Sequence, residues 1–270
     1  MILDFKDIPR SCAAVQPDSV TVIIPARNAA PYLTACLASV IAQSGESVQE
    51  IVVVDDGSSD GTLAMAEGFF RAQPASSLSL RCLSQPPSGA AAARNLGVLA
   101  ATGEWLSFLD ADDLWLPDKT ERQLAALSQD PGHSGAFGSI RQFLSPELPD
   151  DVKSRILCPP EPLSGPSIGT LLIRRADFLR VGEFDTTLPV GEFLEWFGRA
   201  KDAGLAFLML PEILMLRRLH RCNQGVLKKD DYAATFRKIL RERLRRRAAP
   251  QAPVVEAAQT PEPAPPARVP

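Results

Sequence analysis

Apolar runs of strand-like composition alternate along the first half of the chain with segments of helical period. VTVIIP (Val20 to Pro25) is a β-branched run closed by proline, and Pro31 opens a stretch whose Leu33, Leu37, Val40 and Ile41 share one helical face. IVVVD (Ile51 to Asp55) reads as a second buried strand, followed by the turn-rich DGSSDG (Asp56 to Gly61) and a helix to about Phe70. A third strand is expected near Leu78 to Leu83. A Pro-Pro-Ser-Gly turn, an alanine-rich helix from Gly89 to Ala101 and a fourth strand from Trp105 to Leu109 follow it. Strands this apolar, joined by helices, imply a doubly wound α/β domain in which a parallel sheet is covered on both faces.

The second half continues less regularly. Pro117 starts a helix to about Leu127, and Gly135 to Leu144 is a candidate strand. Ser145 to Pro166 is rich in proline and charge and reads as a mobile excursion. SIGTLLI is then expected as a strand, with helices from Arg175 to Val181 and Glu192 to Ala203, and two strands near Ala206 to Leu210 and Ile213 to Leu219. Asp230 to Arg247 is a basic helical candidate, with Phe236, Ile239, Leu240 and Leu244 at near-helical spacing and arginines opposite. The Pro/Ala-rich end has no periodicity and is expected to be disordered. The chain thus divides into an extension (1–18), one α/β domain (19–228), a basic helix (229–247) and a tail (248–270).

Composition narrows the function classes. Hydrophobic residues at 45% and charged residues at 23% fit a folded globular domain, and a net charge of −3 argues against nucleic acid as partner of the whole chain. Five scattered cysteines without C-x-x-C spacing suggest reduced cytosolic thiols, and two histidines leave little material for a zinc site. The N-terminus lacks the charge and apolar pattern of an export signal, and the most apolar stretch, Gly204 to Leu216, is broken by Pro211 and Glu212. A cytoplasmic location is therefore expected. The basic helix either docks peripherally on an anionic membrane face or a partner protein, or closes the domain as a solvated helix.

Ligands of open α/β sheets bind beyond the carboxyl ends of the strands, so the polar residues there carry the candidate chemistry. They are Arg27 and Asn28 after the first strand, Asp55 and Asp56 after the second, and Asp110, Asp112 and Asp113 after the fourth. Asp110 and Asp112, one small residue apart, can direct oxygens toward one hard divalent cation, Mn²⁺ or Mg²⁺, that bridges a diphosphate. The alternative is a solvated acidic turn with Asp113 capping a helix. Asp55 and Asp56 can accept hydrogen bonds from a base imide or a ribose hydroxyl, or they belong to an ordinary turn with Ser59 or Asp60 as cap. Arg94, beside Asn95, can reach a phosphate at the sheet edge or pair with one of the aspartates.

The runs VTVIIPARNAAPYLTACLASVIAQ, IVVVDDGSSDGT and GAAAARNLGVLAATGEWLSFLDADDLWLPDK resemble the family 2 inverting glycosyltransferases. The resemblance implies a Rossmann-like GT-A fold with a mostly parallel central sheet and helices on both faces, a nucleotide-diphospho-sugar donor, and nucleotide contacts from the first loop with Pro25 and Arg27. It assigns Asp56 to the base, Asp110 to the ribose side and Asp112 to the metal. TLLIRRADFLRVGEFD and LPVGEFLEWFGRAKDAG resemble the acceptor-side region, with one departure. Where the family usually has Glu-Asp, with that aspartate as general base, this chain has Glu192-Phe193. Glu192 or Glu195, three positions apart on a helix, would have to substitute as catalytic base, or each is only a surface charge of its helix. Trp196 is either an acceptor wall or core. His220 in RRLHRCNQG is similar to the family's Arg-x-His loop over the donor diphosphate, with Arg217 and Arg218 beside it; a structural histidine is the alternative. The acceptor, whether glycan, lipid-linked glycan, peptide or small molecule, is not specified. A nucleotide-sugar-binding protein without turnover is the rival that Phe193 raises. A sugar nucleotidyltransferase would need a glycine-rich loop where the chain has PARNAAP.

Overall fold

The computed structural model describes residues 16–73 and 78–221, together with positions 235, 237, 239 and 241. Most of the N-terminal extension, the expected tail, Cys12, Cys222, Phe236, Leu240 and Leu244 lie outside the described residues. The first half runs β1 (Val20–Ala26), α1 (Ala30–Ile41), β2 (Val48–Asp55), α2 (Thr62–Arg71), β3 (Ser79–Ser84), α3 (Ala90–Ala100), β4 (Trp105–Phe108), β5 (Leu114–Trp115) and α4 (Lys119–Gln129). The second runs β6 (Gly135–Leu144), α5 (Asp150–Lys153), a 3₁₀ turn (Ile168–Thr170), β7 (Leu172–Arg174), α6 (Arg175–Val181), α7 (Glu192–Asp202) and β8 (Phe207–Leu219).

The strands form one sheet in the order β3-β2-β1-β4-β7-β6-β8-β5. β1 pairs in parallel with both β2 and β4, so strand order reverses between them. The carboxyl ends of β1 and β4 consequently lie side by side, where an open α/β sheet leaves a crevice for ligand. Successive β1 side chains feed two cores: Val20, Val22 and Ile24 pack with α1, whereas Ile23 packs on the opposite face with Phe108, Phe178 and Trp196. The alanine-rich α3 lies close on that second face, and a Cβ at Gly97 would collide with Ile23.

The sheet is mostly parallel, as expected, with β7 entering antiparallel between β4 and β6 and β5 running antiparallel to β8. Two expectations are corrected. SIGTLLI divides into the 3₁₀ turn and the short β7. The two expected last strands are one: β8 passes through Pro211, and the pairing with β6 shifts register there, between Phe137 and Ser139. A bulge accommodates the missing proline N–H without ending the strand. The proline-rich excursion after β6 holds the short α5. No helix among the described residues is long and apolar enough to cross a membrane. Positions 235, 237, 239 and 241 are helical, with Thr235 and Ile239 buried and Arg237 and Arg241 exposed, which is a helix with one face against the body.

Candidate functional site

The loops after β1 and β2 are tied to each other. Asn28, with φ +49°, donates its backbone N–H to the Ser58 hydroxyl at 2.9 Å and accepts the Ser59 N–H on Oδ1 at 2.9 Å. Asp60 accepts the Ala30 N–H and the Thr62 N–H, so it joins the start of α1 to the start of α2. Gly57 turns the chain at φ +70°, and a Cβ there would lie 2.6 Å from the Pro87 ring. Pro25 is buried within β1, next to Val54 of β2.

Asp55 and Asp56 have different employment. Asp56 is buried, and its carboxylate accepts the Ser88 N–H at 2.6 Å, the Gln85 amide at 2.8 Å and the Gly89 N–H at 2.9 Å. Arg27 lies 3.6 Å from the same carboxylate. Asp56 thus anchors the loop that enters α3. Asp55 accepts the Ser58 N–H on Oδ2, while its Oδ1 is buried with no hydrogen-bond partner among the described residues.

Past β4, Leu109 donates to the Ile23 carbonyl and the Asp113 N–H closes a turn on the Asp110 carbonyl, which presents Asp110 and Asp112 at the crevice. Buried Arg94 of α3 spans two carboxylates: Nη2 lies 2.6 Å from Asp110 Oδ1 and Nη1 2.5 Å from Glu192 Oε1. Burial opposes charge on this guanidinium, but Asp110 and Glu192 outweigh it and hold the Arg94 pKa above the ordinary value. Arg94 therefore links the loop after β4 to the first turn of α7. The ion pair that its sequence allowed is formed.

Asp113 is not a helix cap. It is buried, its Oδ1 accepts the Arg218 N–H of β8 at 2.8 Å, and the next helix begins only at Lys119, with β5 in between. Burial first, then repulsion from Asp112 and Asp110, pushes its carboxyl well above the usual range. Asp112 Oδ2 lies 2.8 Å from His220 Nε2, and the Asp112 carbonyl accepts Arg218 Nε at 2.9 Å.

The two glutamates of α7 do not act together. Glu192 joins Arg94, whereas Glu195 pairs through both oxygens with Arg199, which itself donates to the Val181 and Glu183 carbonyls. Phe193 stacks at 6.4 Å on Trp196 and at 6.0 Å on Phe197, and Trp196 is completely buried. Trp196 is core, and an apolar side chain at 193 extends that core. Sequence reasoning passed over Tyr32, whose ring packs on His220, and Glu147 and Ser145, which are bonded in turn to Tyr32 and to each other. Nothing in the pattern marked Glu147, which lies in the excursion after β6 and meets Tyr32 across 115 residues of chain.

Asp112 offers a carboxylate oxygen, the kind of donor that a hard ion such as Mn²⁺ or Mg²⁺ takes, and the His220 imidazole lies beside it. No group of three or more His, Cys, Asp and Glu side chains able to hold a metal occurs among the described residues. An ion here would draw its remaining ligands from a diphosphate and water, as Mg²⁺ in nucleotide sites does.

A family model described as "Glycosyl transferase family 2" matches residues 21–184. An uncharacterized glycosyltransferase of Nostoc sp. is 40% identical over 103 residues, 38% of this chain and 31% of that protein. Glycosyltransferase AglE of Haloferax volcanii is 28% identical over 213 residues, 72% of this chain and 65% of that protein. The match thus spans about a third of the first relative and about two thirds of the second. Among solved structures, Staphylococcus aureus TarS 1-349 superposes with a TM-score of 0.60 at 20% identity, over 82% of this chain and 64% of that one. TarS structures in complex with UDP and with UDP-GlcNAc superpose similarly, at 0.59 and 0.58.

Proposed function

This chain belongs to glycosyltransferase family 2, and on that premise we propose that it moves a sugar from a nucleoside diphosphate donor to an acceptor hydroxyl with inversion, assisted by Mn²⁺ or Mg²⁺. The observation that carries this reading is the convergence of Asp110, Asp112, His220, Arg94 and Glu192 beyond β4, at the reversal of strand order. The donor complexes of TarS, which shares the fold, support it.

Asp55 Oδ1, buried and in want of a donor, is suited to a base imide N–H, since a carboxylate accepts and cannot donate. Asp56, engaged by three donors, shapes the loop beneath, with Arg27 above it. Asp110 takes the ribose side, its Oδ1 held by Arg94. Asp112, with His220 beside it, would hold the diphosphate end through a metal. A Mn²⁺ or Mg²⁺ bound there would supply charge that offsets the leaving diphosphate. Glu192 replaces the base missing at Phe193: Arg94 orients it through Oε1, and Oε2 takes the acceptor proton as the hydroxyl oxygen attacks the anomeric carbon. The anomeric bond to the diphosphate breaks, and its electrons leave with the nucleotide.

Calorimetry with a panel of nucleoside diphosphate sugars, UDP-GlcNAc among them, with and without Mn²⁺, tests the donor assignment. Metal-dependent binding is expected in the native chain and not in Asp112→Ala; failure of every donor to bind refutes the reading. Transfer assays then test the base, since Glu192→Gln should keep binding and lose turnover. A second reading, donor binding without turnover, is favoured by Phe193 in its aromatic stack. Native protein that binds donor but neither transfers nor hydrolyses it would establish that reading. The exposed Arg237 and Arg241 support a peripheral contact of the C-terminal helix with an anionic surface.

A further inference from the structure

Asp112 is enclosed by a circuit of side chains that closes on itself. Starting from its carboxylate, Oδ2 meets His220 Nε2 at 2.8 Å. The His220 ring packs against the Tyr32 ring with centroids 4.7 Å apart. The Tyr32 hydroxyl donates to Glu147 Oε1 at 2.9 Å, and the Ser145 hydroxyl reaches the same carboxylate at 2.6 and 2.7 Å. Arg218 Nη1 donates to Ser145 Oγ at 3.2 Å, and Arg218 Nε returns to the Asp112 carbonyl at 2.9 Å. Four segments distant in sequence meet in this way: the first turn of α1, the loop after β4, the loop after β6 and the end of β8.

We propose that Tyr32 and Glu147 are positioning residues for the donor diphosphate, holding the His220 imidazole with Nε2 toward Asp112. The inference rests on the assignment of Asp112 and His220 to the diphosphate end. His220 follows the last residue of β8. The flat face of Tyr32 lies against its ring, and the hydroxyl of Tyr32 is held by Glu147. The Ser145 hydroxyl, the chief influence, holds the Glu147 carboxyl below its ordinary range, so it stands as a charged acceptor at neutral pH. The guanidinium of Arg218 lies 5.1 Å from the Tyr32 ring and 4.8 Å from the Phe143 ring, which stiffens the other side. An imidazole free to rotate would spend part of its time turned from the diphosphate, and affinity would fall accordingly. Outer partners that orient such groups are worth about tenfold in affinity at the low end of their range.

The test is calorimetric titration of UDP and GDP in Mn²⁺ against the native chain and the variants Glu147→Ala, Glu147→Gln and Tyr32→Phe. Glu147→Ala and Tyr32→Phe should each weaken nucleotide binding about tenfold. Glu147→Gln, which keeps an acceptor oxygen for Tyr32, should restore affinity to within about threefold of native. The His220 ring proton signals should shift in the two weakened variants as the Tyr32 ring moves; the chain has two histidines, so a His133→Gln background identifies the signal. A role in folding alone would not produce the rescue by glutamine or the His220 shift. If Glu147→Ala does not fold, Tyr32→Phe carries the test, because it retains the ring and changes only the hydroxyl. The proposal is overturned if the native chain binds nucleotide and both weakened variants bind equally well, or if glutamine is no better than alanine. A native chain that binds neither nucleotide with metal overturns the donor assignment itself, a failure visible before any variant is made.

Discussion

Lys119 is completely buried, and no carboxylate among the described residues compensates it. Its amine donates to Ser107 Oγ at 2.9 Å and to Gln123 Oε1 at 2.8 Å, and it lies 4.0 Å from the Trp115 ring centroid. Those two acceptors are enough for a neutral amine, whereas an ammonium would bring a third proton and a charge into the core. Burial lowers the Lys119 pKa well below 10.5. Between the folded and unfolded values the unfolded chain binds one more proton, so stability rises with pH by about 1.4 kcal/mol per unit. Below the folded value the amine is charged in both states and that dependence ends. Lys119→Met removes the proton linkage and leaves Ser107 and Gln123 each short of a donor, a cost of about 1–3 kcal/mol that does not vary with pH. The measurement is urea unfolding of both proteins at several pH values between 7 and 10. Native stability should gain on the variant as pH rises toward the unfolded value, with that slope above the folded value. A difference that stays constant up to pH 10 would refute a lowered Lys119 pKa, and a difference that moves the other way would require an unseen anion beside it.

Arg94→Met should cost about 3 kcal/mol of stability, the lower end for breaking a buried pair, because Asp110 is partly solvated; thermal and urea unfolding measure it, and donor turnover should fall as Glu192 loses its orientation. Gly57→Ala should cost about 2 kcal/mol, from a positive φ and a Cβ directed at the Pro87 ring, and calorimetry should show weaker nucleotide binding as the turn after β2 shifts.

Locally encoded features were legible in the sequence. The apolar runs of β1, β2 and β4 and the acidic loops that follow them are written in adjacent residues, and those loops converge because strand order reverses beside β1. SIGTLLI reads as a strand, but the place of β7 in the sheet was not legible, since its direction depends on partners, Trp105 and Gly135 among them, far away in sequence. Helical spacing placed Glu192 and Glu195 on one face, but spacing does not reveal that Arg94 meets the first and Arg199 the second. Asp113 likewise reads as a cap until the β8 backbone that it accepts from is in place. Asp55 and Asp56 are chemically equal in sequence, and only the loop before α3 makes one a brace and leaves the other with a buried, unmatched oxygen.

Gly191, at φ +82°, precedes Glu192 and is covered from outside: a Cβ there would lie 3.3 Å from Thr235 Cγ2 and 3.8 Å from Ile239 Cδ1. Thr235 and Ile239 therefore buttress the turn that carries the proposed base. A load borne by the helical positions that carry Arg237 and Arg241 would be felt at the turn before Glu192, so those positions and that turn share one mechanical path.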